Sequence, residues 1–148
     1  MFYNYIEKEL DRTRRHNYKV AFLIIDVNNF KTINDRYGHK VGDFILKGIG
    51  KILIEQTRKI DTVVRYCVDE FLIVLPAFAR NHIKAFKERL NKAISEWKYK
   101  DEISNFDADL SIGIAYWDPK EERSLEEAIN EANFLMYEEK KTKYKRKV

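Results

Sequence analysis

The chain is poor in residues that cross-link, kink or loosen a fold, with one cysteine, two prolines and five glycines among 148 residues. A single thiol, Cys67, excludes an internal disulfide and suits a reducing compartment, so a cytoplasmic setting is expected. Pro76 and Pro119 are the only prolines, and long flexible linkers are excluded by the same scarcity. No apolar run reaches membrane-spanning length, because the best, Phe71 to Ala79, is short and contains Pro76. The N-terminus carries Glu7, Glu9 and Asp11, unlike a signal or transit peptide. These absences concern the domain and leave open a membrane-anchored parent protein.

What is present is a core and a charged surface, with 45% hydrophobic and 35% charged residues. That amount of chain makes one compact domain of ordinary size. The net charge of +4 comes from 28 basic and 24 acidic residues. Much of the excess lies between Lys140 and Lys147. This tail is expected to be a solvated helix end rather than a contact for a nucleic acid polymer or an anionic membrane.

Phe2, Ile6 and Leu10 recur at four-residue spacing, one apolar stripe on a helix to about Arg15. Val20 to Ile25 is continuously apolar, the pattern of a strand covered on both faces. It ends at Asp26, and Asn28-Asn29 are expected to cap a helix through about Arg36. After a turn at Tyr37-Gly38-His39, a second helix is expected from Val41 to Thr57. Strands Thr62–Tyr66 and Phe71–Leu75 read as a hairpin around Cys67-Val68-Asp69-Glu70. A helix from about Asn81 to Trp97 and a strand from Ala108 to Trp117 follow. Ser124-Leu125-Glu126-Glu127 then opens a last long helix in capping-box style. This order predicts an α+β fold, a mostly antiparallel sheet flanked by helices.

Asp26 stands where a strand end presents carboxylates to a ligand, although a helix-capping role is equally common for such a residue. The stretch Asp26-Val27-Asn28-Asn29-Phe30-Lys31-Thr32-Ile33-Asn34-Asp35 continues through Arg36-Tyr37-Gly38-His39-Lys40-Val41-Gly42-Asp43. It resembles the D-x-D-x-F-K-x-x-N-D-x-x-G-H-x-x-G-D pattern of the GGDEF domains of diguanylate cyclases. Arg65-Tyr66-Cys67-Val68-Asp69-Glu70-Phe71 resembles that family's signature hairpin. Ser111-Ile112-Gly113 and the helix Ala132 to Lys140 resemble its later elements, in the same order. Each piece alone is weak, but together they cover nearly the whole chain.

The resemblance implies a palm-like nucleotidyl-cyclase fold and a set of roles. Asp26, the carbonyl of Val27 and Asp69 would hold Mg²⁺ or Mn²⁺. Glu70 lies beside them, and Lys31 joins Asp69 and Glu70 as a catalytic group. Lys31 and Lys140 would sit on phosphates, with Asn28 and Phe30 lining the substrate. Asn34 and Asp43 would read guanine, whose N1 and N2 donors suit a carboxylate and an amide. Arg58-Lys59-Ile60-Asp61 resembles the family's inhibitory R-x-x-D site for cyclic di-GMP, and Arg89 stands where a second arginine often falls. Guanidinium groups can stack on bases and fork onto phosphate.

The chain also departs from the family pattern. Cys67 and Val68 replace the two signature glycines. A type I′ turn needs positive φ at both central residues, which valine resists by roughly 1–2 kcal/mol. The hairpin is therefore expected to change turn type or to be strained. Asn28 stands in place of a second Asp, and Tyr144 stands at a phosphate-gripping arginine position, with lysines on either side. Asn133 replaces the usual Asp before its helix core. The D-x-L-T-G-L-x-N-R stretch that commonly precedes the domain is absent, so the chain is expected to be part of a larger signalling protein.

Three functions follow, in order of preference. The first is a degenerate regulatory domain binding GTP, cyclic di-GMP or both, with impaired or absent cyclase activity. The second is an active diguanylate cyclase condensing two GTP molecules across a homodimer. The third is a spacer or dimerisation module without nucleotide. An attached sensor or phosphodiesterase domain would be the partner within the parent protein.

Overall fold

The computed structural model describes residues 2–97 and 109–146. In chain order the elements are α1 Phe2–His16, β1 Val20–Val27, α2 Phe30–Tyr37, α3 His39–Glu55, β2 Thr62–Cys67, β3 Glu70–Pro76, α4 Ile83–Ser95, β4 Leu110–Trp117 and α5 Leu125–Arg146. A short 3₁₀ turn, Arg80–His82, leads into α4. The four strands lie in the order β2-β3-β1-β4, and every neighbouring pair is antiparallel. The α+β architecture expected from the pattern is thus the one observed. Ala108, the expected first residue of the last strand, lies outside the described residues.

All eight residues of β1 are buried, as its unbroken apolar run requires of a central strand. Successive side chains point to opposite faces. Ala21, Leu23, Ile25 and Val27 enter the core under α2, α3 and α4, with Ile45, Ile49, Leu53 and Leu90. Val20, Phe22 and Ile24 enter the core under α1 and α5, with Ile6, Leu10, Ile129 and Met136. Each such side chain contributes about 1.5–3 kcal/mol on burial.

This alternation decides where β1 sends its one acidic residue. Asp26 shares parity with Val20, Phe22 and Ile24, and so points to the α5 side of the sheet. Its neighbours in register are Glu70 on β3 and Ser111 on β4. Glu70, Asp26 and Ser111 therefore form one row across three strands. Helix α5 reaches that row because Gly113 lies under it: a Cβ there would stand 1.8 Å from the Ala132 carbonyl oxygen and 2.3 Å from the Met136 nitrogen. One turn beyond Met136 comes Lys140.

The helix ends follow local chemistry. Asn17, at φ 59°, closes α1 by donating its backbone N–H to Thr13 O at 2.8 Å. Ser124 Oγ accepts from Glu127 N at 3.1 Å, the cap expected at the start of α5. The cap expected for α2 is different. Asn29 takes the N-cap position at φ 61° with no side-chain cap bond, and Asn28 turns its side chain to β4. Asn28 finds better partners there than the α2 amides, because Asp109 and Ser111 offer it both a carboxylate and a hydroxyl.

The hairpin does not use a type I′ turn. Among the described residues positive φ occurs only at Asn17, Asn29, Ala77 and Gly38, so no residue of the signature turn adopts it. The register slips between Arg65 and Cys67, leaving Tyr66 as an extra residue, and Cys67 pairs with Glu70. The two-residue turn is thus Val68-Asp69. Arg65 braces it, donating from Nη2 to Val68 O at 2.7 Å and from Nε at 3.2 Å.

Candidate functional site

Asp26 is 2% exposed and is flanked by two further acids. Its Oδ2 accepts from Lys140 Nζ at 2.6 Å, whereas its Oδ1 is buried and has no hydrogen-bond partner. Asp69 is held beside it by the backbone, since Val27 N donates to Asp69 O at 3.1 Å. Burial raises the Asp26 pKa, the Lys140 bond opposes this, and the Asp69 charge raises it again. Glu70 is also pushed up, by burial first and then by Asp26 and Asp69. Burial favours neutral Lys140, but its bond and attraction to Asp26 prevail and its pKa rises. One cation thus faces three acids.

Cys67 is exposed on the adjoining strand end. Burial and the Glu70 and Asp69 charges push its thiol up, away from the thiolate form a nucleophile needs. Val68 is 69% exposed at the turn itself.

A second group of polar residues lies on α2 and α3. Asn34 Oδ1 is buried without a partner. Its carboxamide lies against Gly42, where a Cβ would stand 1.9 Å from Oδ1, and the Phe30 ring closes the same space at 3.1 Å. Asp43 follows Gly42 on α3 and is exposed, as is Lys31 on α2. Three buried side-chain atoms lack a hydrogen-bond partner among the described residues, and two of them are Asp26 Oδ1, at the end of β1, and Asn34 Oδ1, within α2.

Sequence reasoning missed the network beneath the start of α2. Asn28, 4% exposed, donates from Nδ2 to Asp109 Oδ2 at 2.9 Å and accepts from Ser111 Oγ at 2.8 Å. Its backbone N–H is also taken, by Asp109 O at 2.9 Å. Lys143 Nζ donates to Asp109 Oδ1 at 3.0 Å and to the Leu110 carbonyl. The only signal for this was the SIG match at Ser111, since Asp109 and Lys143 resemble ordinary surface residues.

Arg58, Asp61 and Arg89 meet at a separate cavity of about 610 Å³, whose lining includes Phe78, His82 and Phe86. The Asp61 side chain is 2% exposed and takes Arg58 Nη2 at 2.7 Å, Arg58 Nε at 3.1 Å and the Arg58 backbone N–H at 2.7 Å. Arg58 also donates to Pro76 O at 2.7 Å and lies 5.6 Å from the centre of the Phe78 ring. Arg89 donates to Gln56 O at 2.9 Å. Two guanidinium groups beside aromatic rings suit a flat, anionic ligand.

The family model described as "Diguanylate cyclase, GGDEF domain" matches residues 1–146. The chain is 33% identical over 132 residues to diguanylate cyclase DgcP of Escherichia coli (strain K12), covering 89% of this chain and 38% of that protein. It is 32% identical over 121 residues to diguanylate cyclase A of Treponema denticola, covering 82% of this chain and 32% of that protein. It therefore spans about a third of the length of these curated relatives. The fold is similar to that of the GGDEF domain of DgcB from Caulobacter crescentus, solved in complex with c-di-GMP. That likeness has a TM-score of 0.83 at 21% identity, over 95% of this chain and 83% of that one. No helix among the described residues is long and apolar enough to cross a membrane. The acids gathered at a strand end and the family match lead to one statement: this chain belongs to the diguanylate cyclase GGDEF-domain family.

Proposed function

We propose that this chain is a regulatory GGDEF domain that binds guanosine nucleotide along α2, with impaired cyclase turnover. The observation that carries the proposal is the pair of orphaned buried acceptors, Asp26 Oδ1 and Asn34 Oδ1. A buried acceptor without a donor is destabilising by about 1–3 kcal/mol unless a ligand supplies one. Asn34 suits the amino group of guanine, with Asp43 on the neighbouring helix as a second acceptor. From Asn34 to Asn29 the helix rises about 7–8 Å, which sets the base and the phosphates of one nucleotide at its two ends.

Asp26 Oδ1 suits a divalent cation. Among the described residues no three His, Cys, Asp or Glu side chains form a ready-made cage. Asp26, Asp69 and the Val27 carbonyl are instead a partial set, of the kind Mg²⁺ completes with water and substrate phosphates. The bound ion would stabilise charge on the phosphates and favour ionisation of an attacking hydroxyl. Lys140 holds Asp26 in place, and Lys31 offers a further cation to the phosphates.

The impairment is assigned to Cys67 and Val68. They place side chains on the turn beside Asp69, where glycines leave bare backbone for close approach. The cavity at Arg58, Asp61 and Arg89 is proposed to take cyclic di-GMP. In a longer parent protein, occupancy of either site would be passed to an attached domain. The alternative of an active, dimeric cyclase is favoured by the intact row of Asp26, Asp69 and Glu70.

Calorimetric titration with GTP plus Mg²⁺, and separately with cyclic di-GMP, tests the proposal alongside an assay for product. Binding of at least one ligand with little turnover is expected. Turnover at ordinary cyclase rates would sink the regulatory assignment, and failure of both ligands to bind would leave the spacer function. Restored turnover in the Cys67→Gly, Val68→Gly double variant would locate the defect in the turn.

A further inference from the structure

The α5 wall at the N-terminal end of α2 offers a phosphate little charge. Tyr144 Oη lies 3.3 Å from Asn29 Oδ1, joining α5 to the residue that precedes α2. Behind it, Lys143 Nζ is engaged by Asp109 at 3.0 Å, by Glu139 at 3.5 Å and by the Leu110 carbonyl. Two of the three ammonium donors go to the Asp109 carboxylate and the Leu110 carbonyl, and Glu139 adds an ion-pair contact, so the charge of Lys143 is largely compensated within the protein. Asp109 is fixed in turn by Asn28. The crevice bounded by Asn28, Asn29, Asp109, Lys143 and Tyr144 measures about 10 Å³. Its enclosed part holds about one water molecule.

We infer that Tyr144 sets nucleotide selectivity in this chain, closing the cleft against a terminal phosphate so that guanosine diphosphate binds about as well as the triphosphate. The inference rests on the proposed seating of a guanosine nucleotide along α2. In that seating the base is at Asn34 and the metal-linked phosphates are at Asp26, so the phosphate chain runs to the first turn of α2. Lys31 and Lys140 can serve the phosphates near Asp26. A further phosphate brings additional negative charge against an uncharged phenol and a largely compensated lysine. From the Tyr144 end of α5 it gains no charge-assisted hydrogen bond, the interaction by which triphosphate is distinguished from diphosphate.

The test is the affinity of the full chain for GTP and for GDP, each with Mg²⁺, before and after Tyr144→Arg. Tyr144 is 48% exposed, so arginine is accommodated, and thermal melting checks that the variant folds. The unaltered chain is expected to bind the two nucleotides within about threefold, and Tyr144→Arg to favour GTP by roughly tenfold, the effect of one strong charged contact. A GTP preference of roughly tenfold or more in the unaltered chain overturns the inference. An unchanged ratio in Tyr144→Arg does so as well. If neither nucleotide binds, the proposed seating itself fails, a result distinct from binding with the wrong preference.

Discussion

The two oxygens of Asp26 live in different surroundings: Oδ2 receives the Lys140 ammonium at 2.6 Å, while Oδ1 is buried with no donor. One half of the carboxylate holds the sheet to α5, and the other half is left for something else.

A pH dependence follows from this. Asp26 and Glu70 both have raised pKa values, so the folded chain holds their protons more tightly than the unfolded chain does. Their contribution to stability is greatest below the ordinary carboxylate range. It declines as pH rises through the raised values and is constant above them. Asp26→Asn is expected to flatten that decline and to melt higher than the unaltered chain at neutral pH. Mg²⁺ should raise the melting temperature of the unaltered chain more at neutral than at acid pH, and leave Asp26→Asn unmoved. Thermal melts across pH, with and without Mg²⁺, check both; a lower neutral-pH melting temperature for Asp26→Asn would count against this account.

Ser111→Ala removes the hydroxyl that satisfies Asn28 Oδ1 inside the protein. A loss of about 1–3 kcal/mol in urea unfolding is expected, since the buried amide oxygen keeps no donor. Asn28→Asp is expected to destabilise as well, because it sets a second carboxylate against Asp109. A neutral result for Ser111→Ala would show that water replaces the hydroxyl.

Arg58 and Arg89 line one cavity but differ in what they support. Arg58→Ala leaves the buried Asp61 carboxylate without its guanidinium partner and is expected to destabilise by about 1–3 kcal/mol while abolishing cyclic di-GMP binding. Arg89→Ala is expected to weaken the same binding with a stability change within about 0.5 kcal/mol, as for most surface substitutions. Calorimetry and urea unfolding of both variants separate the two effects. Equal stability losses would refute the distinction.

Gly113→Ala drives a methyl group into the α5 backbone, with 1.8 Å to the Ala132 carbonyl oxygen. Backbone cannot move aside as a side chain can, so a loss of about 3 kcal/mol is expected, at the upper end for overpacking. Stability within about 0.5 kcal/mol of the unaltered chain would mean that the helix shifts freely.

Much of the fold was legible because its signals are local. An unbroken apolar run announced β1, periodicity announced α1 and α3, and a capping box announced α5. The parity that sends Asp26 towards α5 is likewise contained in the strand. What escaped depended on distant partners or on competition between neighbours. Asn28 looked like a helix cap until Asp109 and Ser111, more than eighty positions away, were seen to claim it. The hairpin was expected to be strained or altered at Cys67-Val68. Its turn has no positive φ, and Tyr66 is displaced from the ladder, an irregularity at a strand end that composition does not reveal. The charge compensation of Lys143 required three partners, and a run of basic residues gave no hint of it.

The close seating of α5 over Gly113 makes that helix a ruler. Met136 in the core, Lys140 on Asp26, Lys143 on Asp109 and Tyr144 on Asn29 are successive marks along one rigid rod. Their spacing is fixed by helical geometry, and their position by the packing at Gly113. Inserting a single residue after Met136 would rotate the later marks by about 100°. Asp26, Asp109 and Asn29 would then all lose their α5 partners together, with no functional side chain replaced.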